Sequence, residues 1–107
     1  MQIELLKFRI APEQREKYIQ RDAEIWTTAL ANYPGFIGKE LWINPNNPTE
    51  LVMVIRWETR EQWKSIPKEE IDRITERFDK DLGFSYEMVE SSEYQVRKFP
   101  YSEAFLS

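Results

Sequence analysis

Between Leu51 and Trp57 the chain reads LVMVIRW, apolar at nearly every position rather than at every second one. Leu51, Met53, Ile55 and Trp57 fall on one face of a strand, and Val52 and Val54 on the other. Such a strand is buried on both faces, so each side of its sheet needs a cover. Gln2 to Ile10 alternates less strictly and predicts a first strand, with Leu6, Phe8 and Ile10 on one face and Ile3, Leu5, Lys7 and Arg9 on the other. The period then changes. Ala11-Pro12-Glu13 opens a helix with proline at its first position and an acid in its first turn. Ile19, Ala23, Trp26, Leu30 and Tyr33 follow at helical spacing and predict its buried stripe, flanked by Tyr18, Ile25 and Ala29. Arg15, Lys17, Arg21 and Asp22 are expected largely outside that stripe, and Pro34-Gly35 ends the helix.

Phe36 to Ile43 predicts a second strand, joined to the third, Leu51 to Trp57, by a turn over Asn44 to Glu50 that is rich in asparagine and proline. Thr59-x-x-Gln62 is a capping box for a short helix stopping near Ile66. Pro67 with Glu69 and Glu70 opens another helix, whose stripe is Ile71, Ile74, Phe78 and Leu82 before Gly83. Phe84 to Val96 is strand-like again, with a bulge or break expected at the polar Glu90-Ser91-Ser92-Glu93 patch. The order βαββαβ predicts an α+β, ferredoxin-like antiparallel sheet with helices on one face and the first and third strands central. A second copy is the expected cover for the other face, giving a homodimer. The tail, residues 98–107, carries Phe99, Tyr101, Phe105 and Leu106 and is expected to pack on the body or on the partner.

Composition narrows the function classes. With 107 residues the chain is one domain, too short for two independent cores. Its 15 basic and 19 acidic residues are mixed along the sequence and sum to −4, which argues against nucleic acid as a partner. There is no cysteine and no histidine, so thiolate chemistry, the commonest zinc ligands and the usual neutral-pH proton shuttle are missing. Gly35, Gly38 and Gly83 are the only glycines, too few for a phosphate cradle. No apolar run suggests a membrane span and Met1 to Ile10 does not read as a signal peptide, so the expectation is a cytoplasmic protein requiring no cofactor.

The segment Arg56-Trp57-Glu58-Thr59-Arg60-Glu61-Gln62-Trp63 resembles the small dimeric α+β barrel proteins related to the antibiotic-biosynthesis monooxygenases. In them a third strand ends in tryptophan and is followed by a Ser/Thr-capped helix with an aromatic or aliphatic anchor. In element order the resemblance spans about Ile3 to Val96, and it is strongest to a subgroup with no assigned reaction. It implies a dimeric α+β barrel in which each protomer keeps a pocket between sheet and helices. Some such proteins oxygenate polycyclic aromatic substrates without metal or flavin, and some degrade haem. Trp57 and Trp63 match the strand-end and anchor positions. The histidine that many relatives carry in the following helix falls near Ile66 here, and an isoleucine can neither ligate iron nor relay a proton. The first-strand asparagine of certain oxygenases has no counterpart among Lys7, Phe8 and Arg9.

Trp57, with Trp26 or Tyr33, is the candidate wall of a site for a flat organic ligand, set against the plainer role of filling the core and dimer interface. Lys7 and Arg9 lie on an otherwise apolar strand face, and Arg56 shares the face of Val52 and Val54. They are candidates for gripping an anionic or phenolic group, set against the plainer roles of a strand end reaching solvent or ion pairs across the dimer with a residue such as Glu40 or Glu87. Glu40 and Glu58 are the candidate bases. Two functional classes follow: a dimer that binds a small aromatic or apolar molecule, and a cofactor-independent monooxygenase acting on an aromatic or phenolic substrate. A structural or assembly role is the third.

Overall fold

A computed structural model describes residues 1–97; the expected packing of the tail, residues 98–107, falls outside them. Four antiparallel strands, β1 (Gln2–Arg9), β2 (Phe36–Ile43), β3 (Glu50–Trp57) and β4 (Glu87–Gln95), form one sheet in the order β2-β3-β1-β4. β1 and β3 are central, as their apolar patterns require. Leu51 to Ile55 are all buried. The β2–β3 turn is closed by its own asparagines: Asn46 N–H donates to Asn44 Oδ1 at 2.9 Å, and Thr49 N–H to Asn47 Oδ1 at 3.1 Å.

The sheet is open, which corrects the expectation of an α+β barrel. Among the described residues β2 pairs only with β3 and β4 only with β1, which leaves two free edges. Closing a sheet around a filled interior takes about eight strands, and four twisted strands leave their outer edges far apart. The bulge in β4 also differs slightly from expectation. Lys7 pairs with Glu90 and Phe8 with Met88, so Val89 is the extra residue, just ahead of the polar patch. Phe84 and Tyr86 precede the strand and pack into the core instead.

The helices cover one sheet face. Residues 12–30 form a 3₁₀ turn (Pro12–Gln14), α1 (Arg15–Asp22), a π-helical stretch (Ala23–Thr27) and α2 (Thr28–Leu30). α3 (Arg60–Lys64) and α4 (Lys68–Leu82) follow β3. Thr59 caps α3, its Oγ1 accepting the Gln62 N–H at 3.1 Å and donating to Gln62 Oε1. The core beneath the helices joins Phe8, Leu51 and Met53 from the sheet to Tyr18, Ile25, Phe78 and Leu82. The stripe of the first helix holds at Ile19, Trp26, Leu30 and Tyr33 and departs from the expected one midway, where Asp22 is buried and Ala23 exposed. A π-helical turn holds about 4.4 residues, as its i→i+5 bonds imply, so the 3.6-residue spacing is interrupted there.

The opposite face carries a second apolar cluster of Ile3, Val52 and Val54 with Leu5 and Val96. Among the described residues no helix is long and apolar enough to cross a membrane.

Two glycines have positive φ, Gly35 at 90° before β2 and Gly83 at 79° after α4. Gly83 has open space around its missing Cβ, so Gly83→Ala is expected to cost only the left-handed backbone penalty, about 1–2 kcal/mol. At Gly35 an added Cβ would strike the Gln62 side chain that completes the α3 cap. Gly35→Ala is therefore expected to cost more than Gly83→Ala in urea unfolding; equal losses would remove the steric part of this account.

Candidate functional site

Strand alternation places three side chains in one row on the helix-covered face, since Lys39 pairs across to Ile55 and Ile55 to Glu4. In the neighbouring row Leu6 and Met53 also line the open space, while Leu41 packs with them against the main core. Above Ile55 the helices stand off and leave a cavity of about 410 Å³. Trp57 and Trp63 form one wall, Trp26 and Leu30 lie over it from the first helical run, and Ile66, Ile71 and Thr75 close the α3–α4 side.

Trp57 is wholly buried at the end of β3, edge-on to Phe36 with ring centroids 5.6 Å apart. Its indole Nε1 donates to Glu4 Oε1 at 3.3 Å, satisfying the one polar atom of the ring. Burial pushes the Glu4 carboxyl above its ordinary value; the Trp57 hydrogen bond and the positive charges of Lys64 and Lys39 oppose that rise. On the other side of Ile55, Lys39 Nζ lies 2.8 Å from Asp22 Oδ1 and 2.6 Å from Oδ2, with 3% and 1% of the two side chains exposed. Desolvation pushes Asp22 up and Lys39 down, and their mutual attraction works against both shifts. A buried pair of this kind adds little net stability, because desolvating both ions offsets most of the attraction. Its position facing a cavity is what needs explaining.

The π-helical stretch explains how an aspartate reaches this depth. Asp22 ends α1, and the widened turn that follows carries Trp26 onto the same cavity. Thr28 Oγ1 donates to the Ala23 carbonyl at 3.1 Å, five residues back, which occupies an acceptor of the widened turn. π-Bulges interrupt a more stable α-helix and are frequent at functional sites.

Of the residues singled out from sequence, Trp57 and Trp26 meet at the cavity. Tyr33 packs on the Trp57 cluster, but its hydroxyl donates to Glu70 at 2.5 Å. Lys7, Arg9 and Arg56 are on the far side of the sheet or at its rim. Lys7 lies between Glu50 and Glu90 at 3.6 and 3.5 Å, Arg9 pairs with Glu87 at 2.8 Å, and Arg56 pairs with Glu40 at 2.7 Å. These three cations, and the candidate base Glu40, thus lie away from the cavity in ion pairs within the chain, not in the pairs across a dimer that were expected. Glu58 is exposed beyond the strand end. Sequence reading passed over Glu4, Asp22 and Lys39. Glu4 and Lys39 did carry a signal, a charge in register with Leu6 and Phe8 in one strand and with Leu41 in the other. Asp22 carried none, since its burial depends on the helix changing pitch.

The family described as antibiotic biosynthesis monooxygenase matches residues 1–79. No curated protein matches the chain. Several solved structures share its fold at low identity. SnoaB, a cofactor-independent oxygenase from Streptomyces nogalater, superposes with a TM-score of 0.64 at 16% identity, covering 92% of this chain and 95% of that one. The ActVA-Orf6 monooxygenase of Streptomyces coelicolor, in complex with nanaomycin D, gives 0.67 at 12% identity over 92% and 88%. A conserved protein from Methanosarcina mazei Go1 gives 0.60 at 16% identity over 89% and 92%.

Because the native Glu4 carboxyl titrates above its ordinary 4.5, the native state binds more protons than the unfolded chain between the two values. Its contribution to stability is complete below 4.5 and is lost as pH rises through the native value. Glu4→Gln keeps an acceptor for Trp57 and removes the titration. The variant is therefore expected to gain on wild type in urea midpoint as pH rises from about 4.5 toward neutrality. A gap between the two that does not change with pH would show that Glu4 is not desolvated.

Proposed function

This chain belongs to the antibiotic biosynthesis monooxygenase family, and from that premise we propose that it is a cofactor-independent oxygenase holding a small aromatic or phenolic substrate in the cavity. The observation that carries this reading is the pairing of an indole-walled apolar cavity with two charged groups at its floor, the half-buried Glu4 and the buried Lys39. A flat ring system stacks on the walls while its polar substituents meet the charges. The substrate's own phenolate or enolate is then the electron source for oxygen, and the protein's share is to orient it, stabilise its charge and exclude water. That SnoaB is a cofactor-independent oxygenase and that the ActVA-Orf6 protein is found with nanaomycin D bound supports this reading.

A second reading, binding without chemistry, rests on Ile66. It lines the cavity near the position where the family resemblance places a histidine, and it offers no proton relay.

The proposal includes a homodimer in the cytoplasm. Trp42 and Tyr94 are exposed on the sheet face away from the helices, in register with Val52 and Ile3 of its apolar cluster. A second copy is the proposed cover for this face. Sedimentation at micromolar concentration is expected to give about twice the 13.0 kDa chain mass; a monomer would remove the dimer.

The catalytic reading is tested by oxygen uptake with naphthols, anthrones and flavonoids, in chelator and without added flavin. Uptake above the protein-free rate is expected for compounds that also quench tryptophan fluorescence. Trp57→Phe, which keeps ring area but loses the indole N–H, is expected to fold and to weaken binding by about tenfold. Quenching without uptake would select the binding reading, and no quenching would reject both.

A further inference from the structure

The two acids lining the cavity are not equivalent. Asp22 is neutralised by Lys39, whereas Glu4 has no ion pair among the described residues and a single side-chain donor, the Trp57 N–H. An ionised carboxylate offers about four acceptor sites, and Glu4, half-buried on the cavity lining with a single side-chain donor, keeps acceptor positions open toward the cavity. Two hydroxyls lining the cavity are committed elsewhere, while Ser91 and Lys64 line it as well. The Thr75 hydroxyl donates to the Ile71 carbonyl, and the Tyr86 hydroxyl donates to Asp79. On β4 the cross-strand neighbour Glu93 is held by Arg60 and Gln2. What Glu4 lacks is a donor arriving from the cavity.

The sheet sets the distance to the opposite charge. Lys39 and Glu4 stand in one row with only Ile55 between them. Neighbouring strands are about 4.8 Å apart, so the two positions are separated by about 10 Å. A two-ring planar molecule lying over Ile55 spans that gap. Lys39 has three N–H donors, and its pairing with Asp22 cancels its net charge without using all of them. That end of the row suits a neutral carbonyl that gains negative charge better than a preformed anion.

We propose that Glu4 is the proton acceptor of the cavity, taking the hydroxyl proton of a planar keto-phenol whose carbonyl, at the far end of the ring system, accepts a hydrogen bond from Lys39. This rests on the reading of the cavity as a site for a phenolic molecule. The ligand O–H bond breaks with its electron pair left on oxygen, and a new O–H bond forms on Glu4. The negative charge leaves Glu4 and spreads through the conjugated rings toward the carbonyl, where the ammonium meets it. Net charge in the cavity is unchanged, so no counter-ion enters. The elevated basicity of Glu4 favours the transfer, and the other charges facing the site, Lys64 from α3, Asp22 from α1 and Lys39 from β2, remain in place.

The test uses an acetylnaphthol with ketone and hydroxyl at opposite ends of the long axis, and its methyl ether, each titrated into the full chain. Naphtholate absorbs at longer wavelength than naphthol, so the bound proton state is read directly. Wild type is expected to show bound naphtholate at a pH where the free probe is neutral. Glu4→Gln is expected to bind the probe about tenfold more weakly, the worth of one charge-assisted hydrogen bond, and to show only the neutral band. The methyl ether is expected to bind wild type and variant alike. Glu4→Met serves the same comparison if Glu4→Gln does not fold. A naphtholate band that survives in either variant, or a bound probe that stays neutral in wild type, would overturn the role of Glu4 and leave the aromatic site standing. Failure of both compounds to quench tryptophan fluorescence in wild type would overturn the site and, with it, the proposal.

Discussion

A strand that buries both of its faces constrains everything around it. β3 hides Leu51, Met53, Ile55 and Trp57 under the helices and Val52 and Val54 on the other side, so it must sit inside the sheet. Its neighbour β1 is placed beside it by the same demand, and β2 and β4 become the edges. The helices pack over half of the covered face through Tyr18, Ile25, Phe78 and Leu82. Over the other half they meet the bulk of Trp26, Trp57 and Trp63 and remain standing off, and the cavity is what is left.

The cavity contains charges that a plain core would exclude. Desolvating a carboxylate costs several kcal/mol unless partners compensate. The chain compensates Lys39 fully with Asp22 and Glu4 only in part with the Trp57 indole. Folding alone gains nothing from this imbalance, since a leucine at position 4 would satisfy the row of Leu6 and Phe8 better. An imbalance maintained beside open volume is the pattern expected where a ligand supplies the missing partner.

The two faces of the sheet also divide the charged residues by role. On the open side and at its rim, Lys7, Arg9 and Arg56 pair with Glu50, Glu90, Glu87 and Glu40 close to solvent, where such pairs contribute little energy. Under the helices Glu4, Asp22 and Lys39 each have a perturbed proton affinity. A one-residue step along β1, from Glu4 to Leu5, separates these two environments, because strand side chains alternate between faces.

Sequence alone determined the strand and helix order, the central place of β1 and β3, the cap at Thr59 and the helix stop at Gly83, since each follows from local period or backbone chemistry. It also brought out Trp57 and Trp26. It did not determine that the sheet stays open, because closure depends on strand number and twist rather than on any one segment. Nor did it reveal Asp22, whose burial requires the pitch change at Ala23–Thr27. The row of Lys39, Ile55 and Glu4 was decided by register between three strands far apart in the chain. One-dimensional pattern assigns each residue to a face of its own strand; only the folded sheet sets which residues of different strands stand side by side, and that juxtaposition makes the candidate site.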